Sequence, residues 1–176
     1  MIHKIIFAGF GGQGVLFAGK TLAYAGMDED LQISWLPSYG PEMRGGTANC
    51  SVIISDEPIG SPVINAPDVL IAMNKPSLEK FENDVVAGGT IIYDSSLIDR
   101  KVERDDVTAA YVEATKLASD AGKRNLANMV MLGALIKATG VFTLDEIRAA
   151  VEKTTPPAKQ HLVELNMQMI EMGYNG

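Results

Sequence analysis

The chain opens with a short apolar run, Ile5-Ile-Phe-Ala8, that ends in a cluster of glycines. Helix-forming residues follow from Val15 to Met27, so the pattern predicts strand, tight turn, helix. Gln32 to Leu36 reads as a second strand, and Ala48 to Ser55 alternates polar and apolar positions as a third. Asp68 to Asn74 and Gly89 to Asp94 have the near-continuous apolar character of buried strands, with a short helix between them that starts at Pro76. Val107 to Val112 is the last strand, and Glu113 to Ala121 returns to helix. Apolar strands alternating with helices predict an α/β, Rossmann-like fold with a mostly parallel sheet covered on both faces.

From Asn125 the pattern holds helices only: Asn125 to Thr139, then a helix to Glu152 opened by a capping box at Thr143, then Ala158 to Met172 after Pro156-Pro157. The expected organisation is one domain over residues 1–176, a sheet portion at 1–122 with a helical extension at 123–176 packed on it. The helix from Asn125 is apolar on nearly every side and has to be buried all round, by the sheet or by another chain. The last helix places Leu162, Leu165, Met169 and Met172 on one stripe, with Met167 and Ile170 beside it. Such methionine-rich faces usually fill a core, yet one is expected to stay exposed here, leaving homodimerisation open to the isolated chain.

At 176 residues the chain is long enough for one full core and too short for two comfortable domains. Its net charge of -7 argues against nucleic acid as a partner, because a phosphate backbone would meet repulsion over the average surface. A single cysteine, Cys50, excludes an internal disulfide and a self-contained iron–sulfur cluster, and is expected to be a small buried hydrophobe. The glycine-interrupted start does not read as a signal peptide and no run approaches the length of a membrane span, which together predict a cytoplasmic protein. His3 and His161 stand apart from any carboxylate or thiol at ligand spacing, so no metal site is expected.

Two motifs overlap near the start. Gly9-Phe-Gly-Gly-Gln-Gly14 fits the G-x-G-x-x-G of dinucleotide sites, but the second strand runs into Pro37, Ser38 and Tyr39 where an acid should hold a ribose. Gly14 to Thr21 fits G-x-x-x-x-G-K-T, and Asp94 sits where a magnesium-binding acid would follow a strand. However, Val15, Leu16, Phe17 and Ala18 want burial in the first turn of a helix, which leaves Gly19 and Lys20 well inside it with their amides already bonded. The bland alternative is a strand-to-helix turn with close packing, and Gln13, a polar side chain at its mouth, points away from that toward a crevice. The stretch from Pro37 to Thr47 sets Glu42 and Arg44 among glycines and prolines, as in a shaped contact loop; otherwise it is an ordinary surface loop with a Glu–Arg pair.

Together, Gly9-Phe-Gly-Gly-Gln-Gly-Val15, Trp35-Leu-Pro-Ser-Tyr-Gly-Pro-Glu-Met-Arg-Gly-Gly-Thr47 and Asn125-Leu-Ala-Asn-Met-Val-Met-Leu-Gly133 resemble the gamma subunit of 2-oxoacid:ferredoxin oxidoreductases. The likeness is closest in look to the separate gamma chains of 2-oxoglutarate or branched-chain 2-oxoacid enzymes and covers essentially the whole chain. It implies a subunit, inactive alone, of a complex that oxidatively decarboxylates a 2-oxoacid to an acyl-coenzyme A and reduces ferredoxin. Thiamine diphosphate, magnesium and iron–sulfur clusters would belong to partner subunits, with no cofactor and no catalytic residue in this chain. Gly11, Gly12, Gln13 and Gly14, with Tyr39, Glu42, Arg44, Gly45 and Gly46, would form one docking or cofactor-facing surface. Arg44 would be its electrostatic centre, its guanidinium suited equally to a partner's carboxylate or to a coenzyme A phosphate.

Overall fold

The computed structural model describes residues 1–38 and 47–176. Its strands are β1 (Ile2–Phe10), β2 (Gln32–Ser38), β3 (Thr47–Ser55), β4 (Val69–Ala72), β5 (Thr90–Asp94) and β6 (Thr108–Val112). The helices are α1 (Val15–Asp28), α2 (Lys75–Phe81), α3 (Ala114–Asp120), α4 (Ala127–Thr139), α5 (Leu144–Thr154) and α6 (Val163–Asn175). The strands form one sheet in the order β2-β3-β1-β4-β5-β6.

The sheet is mixed. β1, β4, β5 and β6 run parallel, whereas β3 is antiparallel to both β1 and β2. β1 and β2 therefore run in one direction, and β3 returns between them. Period-two burial divides the core into two layers. Ile5, Phe7, Val52, Ile54, Ile71 and Ile92 face the layer built by α1, α3, α4, α5 and α6. Ile6, Ala8, Leu70, Ala72, Ile91 and Tyr93 face the other side, under Leu78 of α2 and Ile98. Helices cover both faces of the sheet, as expected, and the edge strands β2 and β6 are its least covered members, largely half-buried or exposed.

Capping residues fix where the helices start. Asn74 Oδ1 accepts the Ser77 N–H at 2.8 Å to open α2 beside a proline. At α5 the capping box is complete, Thr143 Oγ1 accepting from Glu146 N and Glu146 Oε2 from Thr143 N. The C-terminal helices begin later than periodicity implies, because 3-10 turns occupy Arg124–Leu126 and Pro157–Leu162.

All residues of α4 from Ala127 to Ile136 are buried, as its all-round apolarity requires. The cover comes from within the chain: Gly133 of α4 faces the backbone of Ile170 and Tyr174, and Gly173 of α6 faces that of Val130 and Ala134. That contact closes the α4 face, while the stripe expected to stay open on α6 is only partly covered. In α6 the buried face is Val163, Asn166, Met167, Ile170 and Gly173 with Met169, while Leu162, Leu165 and Met172 are only half-buried. The stripe read from sequence was rotated because it ignored Gly173, whose missing side chain is what lets α6 approach. Large exposed apolar side chains lie elsewhere, among them Phe10, Leu36 and Tyr111.

Candidate functional site

β1 leads by way of α1 to β2 on one side of it, and β4 by way of α2 to β5 on the other. Connections that diverge from neighbouring parallel strands to opposite faces leave a crevice beyond their carboxyl ends, where open α/β sheets place ligands. Here that crevice lies between the glycine turn after β1 and the Met73-Asn74 corner after β4.

The turn needs its glycines. Gly12 has φ +90° and Gly14, the N-cap of α1, has φ +75°, a left-handed region costly for other residues. Gln13 clasps the turn to the sheet. Its Oε1 accepts the Phe10 N–H at 2.6 Å and its Nε2 donates to the Met73 carbonyl at 3.1 Å. Gly9 makes room for that amide, since a Cβ there would stand 2.5 Å from Gln13 Oε1 and 3.1 Å from Met73 Cβ. From α4, Asn128 Nδ2 donates to the Gly14 carbonyl at 3.1 Å, and its Oδ1 is sealed without a partner.

Two hollows flank the turn. One, about 500 Å³, is bounded by Gly12, Gln13, Met73, Leu97, Thr115 and Arg124. Its floor is stiffened by Asp94, whose carboxylate accepts from Thr115 Oγ1 at 2.5 Å, Thr115 N at 3.1 Å and Ser96 N at 3.0 Å. Asp94 is thus a buried cap at the end of β5, engaged by the next helix. The second hollow, about 310 Å³, lies between Phe10, Gly11, Ala48 and the first turn of α1.

The structure brings Gly11, Gly12, Gln13 and Gly14 together at this edge. Tyr39, Glu42, Arg44, Gly45 and Gly46 lie outside the described residues. The strand ends that flank them are described: Thr47 pairs opposite Phe10 and Ser38 opposite Asn49, so both open on the edge that carries the glycine turn. Asn128, Thr115 and Arg124 were not singled out from sequence. A lone amide inside the apolar run of α4 was the available signal for Asn128; Arg124 had none, because only the fold brings the 3-10 turn to the strand ends.

The nucleotide motifs dissolve into packing. Gly19 lies within α1, where a Cβ would strike Cys50 Sγ and come within 3.3 Å of Trp35 Nε1 and Val52 Cγ2, so it serves helix-on-sheet contact. Lys20 is exposed beyond the first turn. β2, the strand to which α1 leads, ends in Pro37 and Ser38 where a ribose-binding acid would be needed. Cys50 is fully buried, donates weakly to the Val15 carbonyl at 3.5 Å, and burial pushes its thiol up to about 12. Among the described residues, no group of three or more His, Cys, Asp or Glu is placed to hold a metal ion, and no helix is long and apolar enough to cross a membrane.

The family described as "Pyruvate ferredoxin/flavodoxin oxidoreductase" matches residues 4–176. The chain belongs to this family. Within it, the chain is 45% identical over 172 residues to the ketoisovalerate oxidoreductase subunit VorA of Methanothermobacter thermautotrophicus, covering 97% of this chain but 35% of VorA. The chain thus spans about a third of that relative's length. It is 37% identical to the 2-oxoglutarate synthase subunit KorC of Methanothermobacter marburgensis, across 98% of this chain and 95% of KorC. A solved gamma subunit of a keto/oxoacid ferredoxin oxidoreductase from Geobacter sulfurreducens superposes with a TM-score of 0.83 at 32% identity, covering 98% of this chain and 96% of that one. The resemblance to oxidoreductase gamma subunits therefore holds over the whole fold of this family member, including the mixed sheet and the helical C-terminal third.

Proposed function

We propose that this chain is the gamma component of a multi-chain 2-oxoacid:ferredoxin oxidoreductase, which converts a 2-oxoacid to an acyl-coenzyme A with oxidative decarboxylation and reduces ferredoxin. The observation that carries the reading is the end-to-end correspondence with gamma-type chains that are themselves whole proteins. On this reading residues 1–176 act as one gamma domain. The relatives' names differ in substrate, ketoisovalerate in one and 2-oxoglutarate in another, so the reading stops at the 2-oxoacid class.

The residues do not fit the family's cofactors. One buried cysteine whose thiol is pushed far up cannot hold an iron–sulfur cluster, and the sequence has no Gly-Asp-Gly segment for a magnesium–diphosphate. Thiamine diphosphate, magnesium and clusters accordingly belong to partner chains, and no chemical step is assigned to this one. Its own contribution is a rigid edge. Gln13, Asn128 and the left-handed glycines hold Gly11 to Gly14 in one conformation, so that Tyr39, Glu42, Arg44, Gly45 and Gly46 together with that turn serve as a docking or cofactor-facing surface. Arg44 is its cation, meeting either a partner's carboxylate or a coenzyme A phosphate.

The test is co-purification of the tagged chain from its native host, followed by a 2-oxoacid- and coenzyme A-dependent assay of acceptor reduction. Capture of thiamine- and cluster-bearing partners with that activity supports the reading; recovery of the chain alone with a bound nucleotide overturns it. In the assembled complex Arg44→Ala is expected to lower activity at least tenfold while the free chain melts unchanged, and full activity would remove the docking role.

A further inference from the structure

A separate hollow of about 530 Å³ opens where α1, α5 and α6 converge, sharing Asn125 with the larger hollow at the glycine turn and Phe17 with the smaller one. That size lies within the range of roughly 300–1,000 Å³ common for small-molecule sites. Its apolar wall is Phe17, Leu126, Leu162 and Leu165, all half-buried although large and hydrophobic. Around it stand Lys20 from α1, Lys123 from the turn before α4 and Lys159 from the turn before α6, with no acidic residue in the lining.

The charge pattern is out of keeping with the chain. Acids outnumber bases 22 to 15 overall, yet three cations from three distant segments meet here without one carboxylate. Elsewhere among the described residues Lys75, Arg100, Arg104, Lys116, Arg148 and Lys153 each hold a carboxylate, whereas Lys4, Lys80, Lys101 and Arg124 do not. Among the described residues Lys20, Lys123 and Lys159 hold none, and Lys20 only lies 5.9 Å over the Tyr24 ring. Like charges around an apolar concavity repel more strongly than in open water, and an anion seated among them relieves that repulsion. Asn166, 6% exposed, lines the same hollow from α6 and brings a side-chain amide to it.

We propose that this hollow is a binding site for a small organic anion with an apolar body, a carboxylate or phosphate on a short hydrocarbon. The three ammonium groups receive the anionic head, the Asn166 amide donates to it, and Phe17, Leu126, Leu162 and Leu165 cover the body. The hydrophobic wall and the cationic rim each contribute, so neither a bare anion nor a neutral chain binds comparably.

The probes are hexanoate and hexyl phosphate, with hexanol and inorganic phosphate as single-feature controls, titrated calorimetrically into the full chain. Saturable binding of one or both amphiphilic anions is expected, at least tenfold tighter than either control and weakened by added salt. Preference between the two separates a carboxylate from a phosphate ligand. Lys20→Gln, Lys123→Gln and Lys159→Gln are each expected to weaken binding several-fold and the triple variant to abolish it, with circular dichroism confirming the fold. Equal binding of hexanol, an unaffected triple variant or no saturation at millimolar probe overturns the proposal. Protection of all three lysines from acetylation in the assembled complex without probe also overturns it, by assigning the hollow to a protein partner.

Discussion

Replacing Gly133 with alanine tests the packing that closes the C-terminal third. A Cβ built at Gly133 stands 2.8 Å from the Ile170 carbonyl carbon and 2.9 Å from the Tyr174 nitrogen, and overlaps the Ile170 oxygen, whereas ordinary contact begins near 3.4 Å. All three atoms are backbone, so no side chain can rotate away. Even the Tyr174 contact requires the helices to part by 3.4 minus 2.9, or about 0.5 Å, and the oxygen requires more. A gap of that order forfeits about a quarter of the dispersion energy across the interface, and overpacking of this kind costs about 1–3 kcal/mol. A backbone clash belongs at the upper end. Alanine returns about 1 kcal/mol in helix propensity, leaving a net loss of about 2 kcal/mol. For a chain of this size that is a fall in Tm of about 4–8 °C, read by thermal and urea denaturation of the purified chain. Gly173→Ala strikes the reciprocal contact on Val130 and Ala134, and one separation relieves both. The double variant is therefore expected to lose about 1 kcal/mol less than the sum of the singles. A Gly133→Ala chain as stable as the parent, or strict additivity, would refute the close approach of α4 and α6.

Three further outcomes are expected. Cys50, with its thiol pushed up to about 12 by burial, should resist thiol reagents at pH 8 in the native chain and react at once in denaturant; rapid native labelling would contradict its burial. Burial would raise the Glu82 carboxyl, but hydrogen bonds from Arg100 at 2.7 Å and from the Glu103 N–H at 2.6 Å outweigh it and hold it below its ordinary value of 4.5. Its stabilisation is thus present above the unfolded pKa and lost as pH falls through the folded one. Glu82→Gln should cost about 2 kcal/mol at pH 7 and flatten the acid limb of a stability–pH curve, and an unchanged limb would refute the assignment. Gln13→Glu keeps the acceptor for Phe10 but turns an oxygen toward the Met73 carbonyl. It should lose about 1–2 kcal/mol at neutral pH and recover part of that in acid, where the protonated carboxyl can donate again; a pH-independent loss would argue against the clasp.

How much was legible in the sequence depended on the range of the interaction. Strand–turn–helix at Ile5 to Met27, the Thr143 capping box and the burial of α4 and of Cys50 were readable, because each rests on local periodicity or on a few neighbouring residues. The glycine run was readable as a turn but ambiguous in purpose. Two nucleotide motifs matched its spacing; the acid-free end of β2 at Pro37 and Ser38 already spoke against one, and the packing of Gly19 on Cys50 and Val52 shows what the second glycine of the other is for. Gln13 was noticed as a polar side chain facing a crevice; that its two amide ends join Phe10 to Met73, which lies 60 residues beyond Gln13, depends on a strand pairing that no local pattern encodes.

By itself the sequence determined the alternation of strands and helices, the absence of cluster-forming thiols and the family, since period, composition and motif strings are properties of the linear chain. The tertiary structure alone decided that β3 returns antiparallel between β1 and β2, that Gly133 and Gly173 turn the C-terminal helices onto each other, and that Lys20, Lys123 and Lys159 meet around one hollow. Those outcomes rest on contacts between residues far apart in the chain, where topology decides which surfaces touch and neither propensity nor spacing carries information.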